Sequence, residues 1–162
     1  MAEKIKVLII DDEERLLLTL AERLRLRDFD VRTCHQGQDG VEAARQDEFD
    51  LALVDLKMPG LSGEQVLGAL KREHPLLEVI ILTGHGSISS AVHCTQAGSY
   101  GYLQKPCETD ELLDVLQKAY QRRVQRRLRI DPERMAELLG SEAGASPLKI
   151  LRRLKELDQG RS

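Results

Sequence analysis

Short apolar runs alternate along the first 120 residues with stretches in which apolar side chains recur at helical spacing. Five segments are predicted to be strands: 5–10, 31–34, 51–55, 79–83 and 100–105. Most are apolar at consecutive positions, which is typical of strands buried on both faces. After the first strand, the i, i+3, i+4, i+7 pattern of an amphipathic helix is formed by Leu17, Leu20, Ala21 and Leu24. The pattern therefore predicts five alternating strand–helix units.

This alternation predicts an α/β fold with a parallel sheet and helices on both faces. Crossovers between parallel strands are right-handed, which leaves few topologies. Among them we favour the doubly wound, flavodoxin-like five-stranded order 2-1-3-4-5, followed by a short helical C-terminal tail. In this order the carboxyl ends of strands 1 and 3 adjoin at the switch point, where such sheets bind ligands.

Hydroxyl residues mark the predicted helix starts, and Ser62, Ser87 and Thr109 are each expected to cap a helix. The helix that Ser87 opens should have one predominantly apolar face. That face is formed by Ile88, Ala91, Val92 and Thr95.

The net charge of -3 is distributed unevenly along the chain. Residues 1–120 contain 13 Lys+Arg and 21 Asp+Glu, giving -8, whereas residues 121–162 contain 11 and 6, giving +5. We therefore predict a domain at 1–121 and a basic helical tail at 122–162. The tail would comprise an extension of the last helix, a helix at 132–139, a loop at 141–146 and a helix at 147–157. The extension contains Arg122, Arg123, Arg126, Arg127 and Arg129.

Charged side chains occur where predicted strands end. Asp11 and Asp12 follow the first strand, Asp55 ends the third and Lys105 ends the fifth. Carboxyl ends of parallel strands meet at one edge of the sheet, so these groups should converge. Clustered carboxylates favour a hard cation, here Mg²⁺. An aspartate beside such a metal is placed to accept a phosphoryl group.

The remaining composition excludes several classes of protein. Cys34, Cys94 and Cys107 have no metal-ligand spacing, and we expect them to be small apolar side chains in a reducing cytosol. The N-terminal segment has too few apolar residues for a signal peptide, and no segment has the length of a membrane span. We therefore expect a cytoplasmic protein that does not contact membranes.

Four segments carry a family resemblance: VLIIDDEE, LVDLKMPGLSG, VIILTGHGS and AGSYGYLQKP. They resemble the receiver domain of two-component response regulators, over residues 1–120 and in the same order. The sequences of these segments most resemble those of receivers that precede sigma-54-dependent activator domains. Because no GxxxxGK[ST] loop follows, we expect neither that ATPase domain nor its DNA-binding domain.

The resemblance implies roles for the acidic residues. Asp55 would be the phosphoacceptor, and a cation would reduce the repulsion between this carboxylate and the incoming phosphoryl group. Asp12 and Asp55 would bind Mg²⁺ directly, Asp11 largely through water, and Lys57 through its backbone carbonyl oxygen. The side chains of Lys57 and His85 would either tune dephosphorylation or form solvated surface.

Further roles are implied around the phosphoryl group. Lys105 would pair with one phosphoryl oxygen, and a cis bond to Pro106 would turn it inward. Thr83 would hydrogen-bond to a second oxygen. Tyr102 corresponds to the aromatic residue of the family's switch, which turns inward when Thr83 moves; the alternative is that its ring simply fills the edge of the core.

The expected function is that of a response regulator in a phosphorelay. It would take a phosphoryl group from a sensor histidine kinase or phosphotransfer protein and catalyse only its own phosphorylation and dephosphorylation. The surface of the fourth helix, fifth strand and fifth helix would then control a downstream protein partner or a homodimer. The alternative is a phosphorylation-controlled DNA-binding regulator acting through the basic tail, which we disfavour because two short helices lack a third for a helix-turn-helix core.

Two other classes of protein fit the sequence less well. A flavodoxin-like cofactor binder needs a phosphate-cradling first loop, but this loop contains four consecutive acids, at residues 11–14, which would repel FMN. An aspartyl-phosphate hydrolase resembles receivers in chemistry but has a second acid two residues after its nucleophile. Lys57 occupies that position here.

Overall fold

The computed structural model describes residues 3–160 and divides into two compact units, one ending at Cys107 and the other beginning at Glu108. The strands of the first unit are β1 (Ile5–Ile10), β2 (Phe29–Cys34), β3 (Leu51–Val54), β4 (Glu78–Thr83) and β5 (Gly101–Gln104). Its helices are α1 (Glu14–Arg25), α2 (Gly37–Gln46), α3 (Gly63–Glu73) and α4 (Ile88–Gln96). The second unit contains α5 (Thr109–Leu128), α6 (Pro132–Leu139), a 3₁₀ helix (Gly140–Gly144) and α7 (Pro147–Asp158).

All five strands are parallel and lie in the order β2-β1-β3-β4-β5, which confirms the predicted fold. Ile10 at the end of β1 is paired with Val54 at the end of β3. The next residues continue this register, since the Asp55 backbone N–H donates to the Ile10 carbonyl at 3.0 Å. The Asp11 backbone N–H likewise donates to the Cys34 carbonyl, at the end of β2, at 3.1 Å. The register therefore fixes the backbones of the two aspartates at one edge of the sheet.

The central strands form the core. Every residue of β3 and β4 is buried, which explains why residues 51–54 and 79–82 are apolar without alternation. One face of the sheet packs against α2 and α3, where Leu8, Val54, Val66 and Leu70 are fully buried. Burial of each large aliphatic side chain contributes about 1.5–3 kcal/mol. This packing gives the strand ends a rigid base.

The expected apolar face of α4 is exposed. Ile88 is 86% exposed and Val92 is 51% exposed, whereas Cys94 is fully buried. Ala91 and Ser90 are half-buried, so α4 turns its smaller side chains toward the sheet. The sequence pattern identified which residues share a face of α4 but not which face contacts the sheet, and the smaller side chains lie on the inner face.

Helix starts agree with the prediction in two cases out of three. Ser62 and Ser87 each form a capping box, accepting from the backbone N–H of Gln65 and Ser90. The third assignment is wrong, because Glu108 is the N-cap of α5 and Thr109 is its first helical residue.

The second unit is built from the long α5 and the two shorter tail helices. α7 packs against α5, and Tyr120 and Leu154 are fully buried. Asp131 caps α6 by accepting from the Arg134 N–H at 2.8 Å, and Gly140 ends the helix at φ 49°. The predicted loop at 141–146 is partly replaced by the 3₁₀ helix. α5 is continuous through residue 121, and the domain boundary placed there stays a prediction.

Candidate functional site

Three carboxylates meet at the carboxyl edge of the sheet. Asp11, Asp12 and Asp55 each offer an oxygen, and these oxygens lie within 4.8 Å of one another. Asp11 and Asp55 are both 3% exposed, whereas Asp12 faces solvent. The Asp11 carboxylate also accepts from the Glu13 backbone N–H at 3.0 Å, which orients it at the start of α1. The structure thus brings together the three acids predicted from the strand ends.

Lys105 extends its ammonium group into this cluster. Its Nζ lies 2.6 Å from Asp11 Oδ2, 3.7 Å from Asp55 Oδ2 and 3.2 Å from Glu13 Oε1. Burial would lower the pKa of Lys105, but the hydrogen bond and charge of Asp11, with the charge of Asp55, outweigh it and raise that pKa. Lys105 is therefore a fixed cation. The bond from Lys105 to Pro106 is cis, as expected.

Burial raises the pKa of Asp11, and Lys105 only partly offsets this effect. A buried carboxylate of this kind is stabilised by more positive charge than one ammonium group supplies. One oxygen of the cluster also lacks a partner, since Asp55 Oδ1 is buried and accepts no hydrogen bond from any group within residues 3–160. Several carboxylate oxygens beside one unpartnered oxygen are the donor set that a hard divalent cation takes. The residues therefore fit Mg²⁺.

Thr83 is the last residue of β4, the strand on the side of β3 away from β1, and it is fully buried. Its hydroxyl oxygen accepts from the backbone N–H of His85 at 3.1 Å. A hydroxyl has one proton and two lone pairs, so Thr83 still has a proton to donate. His85 and Lys57 both face solvent. The backbone carbonyl of Lys57 stays a predicted metal ligand.

Tyr102 lies on β5, half-buried at the margin of the core. Its hydroxyl lies 2.8 Å from the Ser90 hydroxyl in the first turn of α4. The ring also packs closely over Gly86, where a Cβ would lie 2.3 Å from the Tyr102 hydroxyl oxygen. Tyr102 therefore contacts both the β4–α4 loop and the helix that follows it.

Sequence reasoning missed three residues around the site. Glu13 was noted only as part of an acidic run, yet it contacts Lys105. Gly63 lies so close to β3 that a Cβ there would be 2.1 Å from the Asp55 carbonyl oxygen. Ser90 was overlooked because its contact with Tyr102 joins residues on different elements. Only Gly63 had a usable local signal, the small residue directly after the Ser62 cap.

The helices of the described chain, residues 3–160, include none that is both long and apolar enough to cross a membrane. Cys34 and Cys94 are buried free thiols, and Cys107 is half-buried.

Comparison with known proteins gives consistent matches. The family model described as "Response regulator receiver domain" matches residues 7–117. The transcriptional regulatory protein GlrR of Escherichia coli (strain K12) is 35% identical over 113 residues, which cover 70% of this chain and 26% of the relative. The chain thus spans a minor part of that relative's length.

Two solved structures are similar in fold. A response regulator receiver domain from Clostridium thermocellum has a TM-score of 0.70 at 32% identity, covering 76% of this chain and 98% of its own. A response regulator from Burkholderia pseudomallei, described with a phosphorylated aspartic acid, a calcium ion and citrate, has a TM-score of 0.66 at 26% identity and covers 85% and 92%. Both likenesses cover most of this chain.

Proposed function

The chain belongs to the response regulator receiver domain family of two-component systems, and on this premise we propose that Asp55 accepts a phosphoryl group from a sensor histidine kinase or a phosphotransfer protein. One observation carries the proposal. Asp55 is a buried carboxylate with an unpartnered Oδ1 among residues 3–160, and two further acids and Lys105 surround it. A buried carboxylate oxygen without a hydrogen-bond partner contributes nothing to stability, but it is well placed to act as a nucleophile.

The proposed cofactor is Mg²⁺. Asp12 and Asp55 would bind it directly, Asp11 largely through water, and Lys57 through its backbone carbonyl. When bound, it would supply positive charge beside the carboxylate and an anchor for a phosphoryl oxygen. A divalent cation is compatible with the Burkholderia pseudomallei response regulator, whose structure is described with a phosphorylated aspartic acid and a calcium ion.

The protein's own residues would then act on the phosphoryl group. An Asp55 carboxylate oxygen forms the bond to phosphorus while the bond from phosphorus to the donor's leaving group breaks with its electron pair. Lys105 would exchange its contact with Asp11 for one with a phosphoryl oxygen, which its charge and reach favour. Thr83 would donate its free hydroxyl proton to another phosphoryl oxygen. We propose no catalysis beyond the protein's own phosphorylation and dephosphorylation.

The output is proposed to use α4 and β5, because α4 presents Ile88 and Val92 to solvent. Single exposed apolar residues are ordinary, but two on one helix next to Tyr102 form a surface suited to a protein partner or a second copy. We propose that this occurs in the cytoplasm, since the free thiols of Cys34 and Cys94 suit a reducing compartment.

A second candidate output is nucleic-acid binding by the tail. From the sequence, DNA binding is disfavoured because two short tail helices lack a third helix for a helix-turn-helix core. This objection is weaker in the structure, because α7 packs against α5, which can serve as a third helix. Exposed basic residues of this unit include Arg129, Lys149 and Arg152. Loss of affinity for duplex DNA with rising salt, at micromolar protein or tighter, would support this output.

The assignment of Asp55 is tested by labelling. The full chain is incubated with Mg²⁺ and a small acyl phosphate, and its intact mass is measured with and without a chelator. We expect one added phosphoryl group that requires Mg²⁺ and is lost in Asp55→Asn. Asp50→Asn is the matched control, since Asp50 is also buried but lies at the opposite end of β3. Labelling that persists in Asp55→Asn would overturn the assignment.

A further inference from the structure

The hydroxyl of Ser90 holds Tyr102 at one point. The two hydroxyl oxygens lie 2.8 Å apart, joining β5 to the first turn of α4. On its other side the Tyr102 ring contacts Gly86, which has no side chain to displace it. The orientation of Tyr102 is therefore set by one hydrogen bond and one close backbone contact.

Ser90 also belongs to the capping box of α4. The Ser87 backbone N–H donates to Ser90 Oγ at 2.9 Å, and Ser90 Oγ donates to the Ser87 carbonyl at 3.0 Å. A hydroxyl offers one proton and two lone pairs. The Ser87 hydroxyl also lies 3.1 Å from Ser90 Oγ, so four polar contacts share the one proton and two lone pairs of Ser90, and the 2.8 Å contact with Tyr102 is the shortest of them. The Tyr102 hydroxyl thus completes the polar environment of the α4 start.

The loop between β4 and α4 begins at Thr83 and leads to the capping box that contains Ser90. His85 donates its backbone N–H to the Thr83 hydroxyl at 3.1 Å, so the loop is tied at its start to Thr83 and at its end to Tyr102. If Thr83 moves toward a phosphoryl group, either the His85 bond lengthens or the loop shifts with Thr83. The Ser90–Tyr102 bond resists that shift because it holds the far end of the loop.

We propose that Ser90 is a positioning residue for the response to phosphorylation. Its hydroxyl holds Tyr102 in the observed orientation and couples the ring to the first turn of α4. This inference rests on the proposed phosphorylation of Asp55. It assigns the restraint to a specific polar contact rather than to the packing of the ring alone. Release of this contact should favour the phosphorylated arrangement.

The test compares Ser90→Ala, Tyr102→Phe and the double variant in the full chain. The probe is beryllium fluoride with Mg²⁺, and the half-saturating fluoride concentration is read from amide chemical shifts. Both single variants should bind the probe about two- to tenfold more tightly, the range of one neutral hydrogen bond. The double variant should match the singles, because both remove the same bond. Ser90→Thr keeps the hydroxyl and should bind like the unaltered protein.

A direct readout uses the protein without the probe. The ring ¹³C shifts of Tyr102 should change in Ser90→Ala and return in Ser90→Thr. Ser87→Ala removes the other cap hydroxyl and its 3.1 Å contact with Ser90 but leaves the Tyr102 contact, so its midpoint should shift by less than that of Ser90→Ala.

Additive effects of the two single variants, or an equal effect of Ser87→Ala, would overturn the inference, because helix capping would then be the cause. If Ser90→Ala leaves the ring shifts of Tyr102 unchanged, this inference is overturned while the proposed phosphorylation of Asp55 stands. A chain that is never labelled by the acyl phosphate would overturn the proposed function together with this inference.

Discussion

The Lys105 ammonium lies 2.6 Å from Asp11 Oδ2, so the cation proposed to contact a phosphoryl oxygen is bound to an acid of the proposed metal site. Lys105 also lies 3.7 Å from Asp55 Oδ2. Lys105 and Mg²⁺ are therefore expected to compete for the same negative charge while both favour phosphorylation.

Lys105→Gln should accordingly separate metal binding from chemistry. Removing the ammonium relieves the repulsion between two cations, and we expect Mg²⁺ to bind about tenfold more tightly, equivalent to about 1.4 kcal/mol. Labelling by an acyl phosphate should fall despite saturating Mg²⁺, since the phosphoryl oxygen loses its charged partner. Calorimetric Mg²⁺ titration and intact-mass labelling measure the two effects. Weaker Mg²⁺ binding in Lys105→Gln would contradict the proposed competition.

Asp12→Asn should affect the metal rather than the fold. Asp12 faces solvent, unlike Asp11 and Asp55, so neutralising it changes little of the packing. We expect Mg²⁺ affinity to fall at least tenfold, with a change in unfolding free energy within about 0.5 kcal/mol. Asp39→Asn, an exposed carboxylate on α2, is the matched control for charge alone. Equal losses of Mg²⁺ affinity in both variants would indicate general electrostatics.

The strand ends were predictable because the parallel register leaves little freedom. Once strands 1 and 3 are adjacent, the residues that follow Ile10 and Val54 must lie side by side. The sequence shows those residues directly, as Asp11 and Asp55. Hydrophobic runs and register therefore suffice to gather the acids, without knowledge of any side-chain conformation.

The contacts that restrain the site were not predictable in the same way. The bond from Ser90 to Tyr102 and the contact from Glu13 to Lys105 depend on side-chain conformation and on how α4 and α1 are rotated. Helical periodicity placed Ile88 on the predominantly apolar face of α4, which did not show that Ile88 would be 86% exposed. Hydrophobicity ranks residues by their tendency to be buried, and it does not register how closely small residues let a helix approach.

The pair between Arg45 and Glu73 joins α2 to α3 and should make stability depend on pH. The Arg45 guanidinium donates to Glu73 at 2.6 Å and 3.0 Å, and this hydrogen bonding lowers the pKa of Glu73. The unfolded chain therefore binds that proton more tightly than the folded protein. The stabilisation is present above the unfolded pKa of Glu73 and is lost as pH falls through the lower folded value.

Glu73→Gln should consequently lower the urea midpoint at neutral pH, by a small and salt-sensitive amount because the pair faces solvent. The difference from the unaltered protein should shrink as the solution is acidified below the ordinary range of glutamate. Glu42→Gln is the control, since Glu42 contacts the same arginine at 3.4 Å. A difference that grows on acidification would contradict the assigned sign.

Asp158 fastens the end of α7 to α5. Its carboxylate accepts from the Tyr120 hydroxyl at 3.3 Å and from Arg127 Nε at 2.7 Å. Asp158→Ala should weaken both contacts and destabilise the helical unit by about 1–3 kcal/mol, because Tyr120 is buried. Amide hydrogen exchange in α7 should accelerate, and labelling of Asp55 should be unchanged. Glu156→Ala, which breaks only a part-buried pair with Arg153 on the same helix, should change exchange far less.

Gly63 should be the least replaceable glycine near the site. Its N–H donates to the Leu56 carbonyl at 2.8 Å, and an added Cβ would lie 2.1 Å from the Asp55 carbonyl oxygen and 2.5 Å from Leu56 Cα. These are backbone atoms, so the clash can be relieved only by moving α3 or the end of β3. We expect Gly63→Ala to cost about 2–4 kcal/mol and to slow labelling as Asp55 is displaced.

Gly68 provides the matched control within the same helix. It has open space within 4 Å of its Cβ position, so Gly68→Ala should stabilise the protein by about 0.5–1 kcal/mol through helix propensity and leave labelling unchanged. Urea unfolding and acyl phosphate labelling of both variants decide the question. If Gly63→Ala were as stable and as readily labelled as Gly68→Ala, the close approach of α3 to the Asp55 backbone would have no part in holding the site.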